Sequence, residues 1–129
     1  MRKPWLTILS VAMIAILALA ACGSGDDDDD SGDSAGLTGT PVSMKDSMRF
    51  DPETLTVKSG SEVEIALTND GAIKHNMSID DADVDEDLDG GKSTSFTFTA
   101  PSSPGEYKIH CNIPGHESAG MVGTLIVED

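Results

Sequence analysis

Basic residues are scarce in this chain. Eight Lys and Arg stand against 23 Asp and Glu in 129 residues, a formal net charge of −15 at pH 7. Phosphate backbones are gripped by clustered Lys and Arg, so the composition argues against nucleic acid as a partner. Aromatic side chains are few as well, at 4% of the sequence. The only tryptophan, Trp5, lies in the first few residues, and the only tyrosine is Tyr107. There are two cysteines, Cys22 and Cys111, and three histidines, His75, His110 and His116. Beyond the amino-terminal stretch no segment carries a helical apolar stripe, which removes the helix-bundle and α/β classes from consideration.

The amino-terminal stretch reads as a targeting segment. Arg2 and Lys3 precede an apolar run from Leu6 to Ala21. That run is short for a membrane span, which needs ~20 apolar residues, and fits a secretory signal better. Leu19-Ala20-Ala21-Cys22 resembles a bacterial lipobox, whose cysteine is lipidated after cleavage just before it. A plain signal peptide with a chance cysteine and an uncleaved anchor are the alternatives. The expected organisation is a lipoprotein-type signal at residues 1–21, an acidic linker at 22–39 and one domain at 40–129. The linker contains the run Asp26 to Asp30 among Gly and Ser, and it has too little apolar surface to fold. If Cys22 carries lipid, the exported domain keeps a single thiol, Cys111. With no internal partner that thiol is buried, reactive or bound to metal.

From Thr40 onward apolar residues recur with a period of two. Leu55 and Val57, then Val63, Ile65 and Leu67, then Phe96 and Phe98, Tyr107 and Ile109, and Leu125 and Val127 alternate with polar neighbours. This is the signature of half-buried strands. Asp51-Pro52, Ser59-Gly60, Asn69-Asp70-Gly71, Gly90-Gly91 and Ser103-Pro104-Gly105 punctuate them as turns. The expected fold is all-β, an antiparallel β-sandwich. The run Asp80 to Asp89 is densely acidic and reads either as a solvated loop or as a docking patch for a basic protein.

The chemistry concentrates near the carboxyl terminus. Cys111 ends a strand, His116 follows five residues on, Met121 five beyond that, and a last strand begins at Val122. His75 stands between the Asn69-Asp70-Gly71 turn and the β pattern Asn76 to Ile79. A cysteine and two histidines with a weak axial methionine suit electron-transfer copper: thiolate and thioether favour Cu(I), and imidazole serves both oxidation states. Zinc accepts Cys and His, but a structural zinc site closes with four strong ligands and methionine is a poor one. A second, catalytic copper at His110 would need further histidines, and His75 and His116 are already assigned. Strand alternation turns His110 away from the Cys111 side, where it reads as a plain surface histidine or as an electron-route or pH-sensitive docking residue. Met44, Met48 and Met77 are too scattered for a Cu(I) trap and read as core.

These residues resemble the cupredoxin family, which includes plastocyanin, azurin and auracyanin. The resemblance covers most of residues 40–129: Phe50-Asp51-Pro52, the Asn69-Asp70-Gly71 turn, His75-Asn76, Pro104 to Tyr107, and the Cys-x4-His-x4-Met loop. It implies a Greek-key sandwich of about eight strands and one type 1 copper held by His75, Cys111, His116 and Met121. It implies that Asn76 ties the His75 strand to the cysteine loop, and that electrons pass through the edge of His116 inside a rim of Ile113, Pro114 and Gly115. The loop spacing departs from plastocyanin and is closer to auracyanin-like members. The expected function is that of an exported, monomeric, membrane-tethered electron carrier rather than an enzyme. It would dock transiently with redox proteins from the outer face of the cell membrane. Copper binding and delivery is the alternative.

Overall fold

A computed structural model describes residues 36–129. The expected signal at 1–21 and the greater part of the expected linker, with Cys22, lie outside the described residues. Nine strands follow in order: β1 (Thr40–Lys45), β2 (Arg49–Asp51), β3 (Thr54–Lys58), β4 (Glu62–Asn69), β5 (His75–Ile79), β6 (Val84–Leu88), β7 (Ser93–Thr99), β8 (Gly105–His110) and β9 (Val122–Glu128). One short 3-10 turn, Asp80–Ala82, joins β5 to β6. The strands form two sheets, ordered β2-β1-β4-β7 and β3-β9-β8-β5-β6.

The period of two is what closes the sandwich. Inward residues of the first sheet, such as Met44, Phe50, Ile65 and Leu67, meet Met77, Ile79, Ile109 and Leu125 of the second, all essentially without solvent contact. Each such side chain contributes ~1.5–3 kcal/mol by burial. Met44 and Met77 are core residues, and Met48 packs on the core from the edge. Most neighbouring strands are antiparallel. The pairs β1–β4 and β3–β9 are parallel, with Thr40 opposite Ile65 and Thr54 opposite Thr124. A parallel pair needs a long connection between its strands, and the intervening β2–β3 and β4–β8 segments supply it.

The acidic run is not a simple loop. Val84 to Leu88 is a strand at the edge of the five-stranded sheet, with Val84 and Leu88 buried and Asp85, Glu86 and Asp87 between them. Charges on an edge strand block pairing with another chain. The edge is held in register by β5, with His75 opposite Leu88 and Ile79 opposite Val84. Because β8 lies on the other side of β5, the start of β5, the end of β8 and the start of β9 meet at one end of the sandwich.

Candidate metal centre

His75 opens β5, Cys111 follows directly on β8, and Met121 immediately precedes β9. The segment between Cys111 and Met121 folds into successive turns. His116 N–H donates to the Ile113 carbonyl at 3.0 Å, Met121 N–H to the His116 carbonyl at 3.1 Å, and Cys111 N–H to the Met121 carbonyl at 3.1 Å. That last bond clips the two ends of the loop together. The loop thereby swings His116 back over Cys111.

One atom each from His75, Cys111 and His116 lie within 4.8 Å of one another. The Nδ1 atoms of the two imidazoles face each other at 3.3 Å, and Cys111 Sγ lies 3.4 Å from His116 Nδ1. His75, Cys111 and Met121 are fully buried, and His116 is half-exposed. The Asn76 N–H donates to Cys111 Sγ at 3.3 Å, which fixes the sulfur against the start of β5. A largely buried pocket offering two imidazole nitrogens and a cysteine sulfur, with a buried methionine beside them, suits a soft metal that cycles redox state. It does not suit calcium or magnesium, which take oxygen ligands.

A cupredoxin-like domain profile matches residues 9–127 of this sequence. The chain belongs to the cupredoxin-like family. Among curated proteins it is similar to the copper-resistant cuproprotein CopI of Rubrivivax gelatinosus, at 33% identity over 105 residues, covering 67% of this chain and 64% of that one. The chain thus spans less than two thirds of CopI. It is also similar to plastocyanin of Nostoc punctiforme, at 31% identity over 98 residues, covering 65% of this chain and 68% of that one. The fold matches reduced auracyanin of Roseiflexus castenholzii with a TM-score of 0.62 at 24% identity, covering 73% of this chain and all of that one. The cofactor of this cupredoxin is one copper, and the His75, Cys111 and His116 donor set fits it.

Behind the His75–Cys111–His116 cluster the cupredoxin carries a polar network. Asn76, fully buried, donates from Nδ2 to Asp85 at 2.7 Å and to Asp87 at 2.8 Å. Its Oδ1 accepts from Ser78 Oγ at 2.7 Å and from the Asn112 N–H at 3.2 Å. Asn112 Nδ2 in turn donates to Ser78 Oγ and Asp85. One asparagine therefore joins β5, the edge strand β6 and the residue after Cys111. Its hydrogen bond, followed by that of Asn112, holds the Asp85 carboxyl below the usual carboxylate range; Lys74, then Asn76, does the same for Asp87.

The sign of the pH effect follows. A carboxyl whose pKa is lower folded than unfolded adds stability above its unfolded value, and loses it as pH falls through the folded one. The domain is expected to lose thermal stability on acidification below about pH 4, where ordinary carboxylates protonate, and Asp85→Asn should flatten that dependence. Melting curves across pH on both proteins check it; identical profiles would mean that Asp85 contributes nothing.

His110 is not at the surface. It is 8% exposed, with Glu117 Oε2 2.9 Å from Nδ1 and Asp80 Oδ1 3.2 Å from Nε2. Alternation sends it away from the Cys111 pocket, but the 3-10 turn and the loop from Cys111 to Met121 fold over it there. Lys108 binds the other oxygen of Glu117, and Lys108, then His110, holds that carboxyl below the usual range. His110 thus fastens the loop carrying His116 onto β8. Asp46 is the residue that the sequence pattern did not single out: its Oδ1 lies 3.0 Å from His75 Nε2.

Proposed function

We propose that this chain is an exported, membrane-tethered carrier of single electrons, its copper held by His75, Cys111, His116 and Met121. The observation that carries the reading is the convergence of one nitrogen each from His75 and His116 with the Cys111 sulfur, all within 4.8 Å of one another. Copper bound there supplies a Cu(II)/Cu(I) couple. The residues themselves do the rest. Strands β5, β8 and β9 hold the donors in one geometry, so electron gain and loss require little rearrangement. Half-exposed His116, with exposed Pro114 and Gly115 and half-buried Ile113 beside it, offers an apolar contact of small area suited to brief docking. The assignment is tested by visible absorption and EPR spectra of the protein loaded with Cu(II). An intense thiolate-to-copper band that bleaches on reduction and returns on oxidation supports it; a pale spectrum with ordinary Cu(II) EPR would sink it.

Residues 1–21 would serve as the signal, Cys22 as the lipid attachment point and residues 22–39 as a spacer, placing the domain at 40–129 on the outer face of the membrane. Two or more acyl chains give stable anchoring where one is marginal. Cys22→Ala is therefore expected to move the protein from the membrane to the soluble fraction, and its retention in membranes would defeat the lipid reading.

Asp80, Asp81, Asp83 and Asp89 are exposed around the β6 edge. They would steer a basic redox partner. Electron exchange with a small cationic reagent is expected to slow by on the order of tenfold from low salt to about 0.5 M, and exchange with an anionic one to quicken. Rates indifferent to salt would remove the steering role. The similarity to CopI favours a second reading, copper binding and delivery. The readings part on retention: a carrier keeps its copper through many redox cycles, whereas a delivery protein yields it to an acceptor.

A further inference from the structure

The loop that carries His75 is wrapped around a single carboxylate. Asp46 lies just beyond β1, in the opposite sheet from β5. Its Oδ2 accepts the Ala72 N–H at 2.8 Å and its Oδ1 accepts the Ile73 N–H at 3.4 Å. The same Oδ1 lies 3.0 Å from Nε2 of fully buried His75. Gly71 makes the space, since a Cβ there would overlap the Asp46 carboxylate. Asn69 fixes the loop from the other side, donating to the Ile73 and Leu88 carbonyls at 2.8 Å and accepting the Gly71 N–H at 2.9 Å. The carboxylate is thus oriented by backbone donors before it meets the imidazole.

We propose that Asp46 is a positioning residue of the copper centre: it accepts a hydrogen bond from Nε2–H of His75, so that Nδ1 faces the metal as a bare lone pair, and its charge favours Cu(II) over Cu(I). The proposal rests on His75 being a ligand. An ionised carboxylate accepts only, so a neutral His75 must carry its proton on Nε2. That leaves Nδ1, the atom 3.3 Å from His116 Nδ1, without one. A carboxylate behind a ligating imidazole raises its basicity, and the gain is larger for the ion of higher charge. A backbone carbonyl or an amide in the same place would set the tautomer without adding the charge.

The test has two parts on the full-length protein. In the copper-free wild type, nitrogen NMR of His75 at about pH 8, where imidazole is ordinarily neutral, is expected to show the proton on Nε2. Adding Cu(I), which is diamagnetic, should then shift the Nδ1 signal. A proton on Nδ1 in the copper-free protein overturns the proposal while leaving the ligand set intact. A His75 signal that ignores Cu(I) overturns it together with the assignment of His75 as a ligand. The second part is Asp46→Asn, which keeps an acceptor and removes the charge. Cu(II) affinity by competition is expected to fall by about tenfold, the lower end for residues supporting a ligand, with Cu(I) affinity changing less than about threefold. A tenfold change in the ratio of the two raises the one-electron potential by about 59 mV. Equal losses for both ions, or no loss, would make Asp46 a structural staple alone. Should Asp46→Asn fail to fold, the wild-type tautomer still decides.

Discussion

Cys111→Ser is expected to abolish the intense visible band of the copper-loaded protein entirely. The band would arise from charge transfer between thiolate and Cu(II), so it needs sulfur at this position and no other donor in the pocket can replace it. Serine matches cysteine in size within a fully buried site, and its hydroxyl can accept the Asn76 N–H that Sγ now accepts at 3.3 Å. The fold should therefore survive with a loss of about 1 kcal/mol, the scale of one altered hydrogen bond. His75 and His116 still present nitrogen, so some Cu(II) should bind, pale and with ordinary EPR, while Cu(I) affinity drops because the soft anionic donor has gone. Absorption, EPR and a thermal melt on one preparation separate these effects. A persisting intense band would remove Cys111 from the ligand set.

The legibility of this site in the sequence depended on how far apart its parts lie along the chain. Cys111, His116 and Met121 fall in one strand–loop–strand unit, so their spacing alone brings them together. His75 comes from β5, and its place beside the loop required the strand order of the second sheet. Asp46 left no trace in the pattern, because its partner lies 29 residues away in the other sheet and an exposed-looking Asp between strands is ordinary. The acidic edge strand was hidden for a different reason. Val84 and Leu88 are its only apolar anchors, and Asp85, Glu86 and Asp87 between them mask the period of two. Alternation gave the correct side for His110 and could not give its cover, since Asp80 and Glu117 arrive from a turn and a loop. Strand alternation also says nothing of direction, so the parallel pairs β1–β4 and β3–β9 emerged only from the register.

Asn76→Ala is expected to cost on the order of 3 kcal/mol and to loosen the centre as well. Alanine would strand the Asn112 N–H, which now donates to Asn76 Oδ1 at 3.2 Å, and would leave the Ser78 hydroxyl its 3.2 Å bond to Asp85 in place of the 2.7 Å one to Asn76. Each buried group left without its partner costs ~1–3 kcal/mol, and the losses within one network do not add in full. The same change removes donors from Asp85 and Asp87, placing two carboxylates of the edge strand at close quarters with less to hold them. Ser78→Ala removes the hydroxyl's bonds to Asn76, Asn112 and Asp85 but leaves Asn76 bonded to Asp85, Asp87 and the Asn112 N–H, and should cost about 1–2 kcal/mol. The backbone N–H of residue 76 survives both changes, so the contact to Cys111 Sγ is retained in principle. What Asn76→Ala removes is the acceptor for the Asn112 N–H, at the start of the loop from Cys111 to Met121. Copper-free stability by denaturant titration and the position of the visible band should therefore change together in Asn76→Ala, whereas Ser78→Ala should move stability with little effect on the band. If Asn76→Ala lowered stability and left the band untouched, the network would support the sheet edge alone, and the clip between Cys111 and Met121 would suffice to hold the loop.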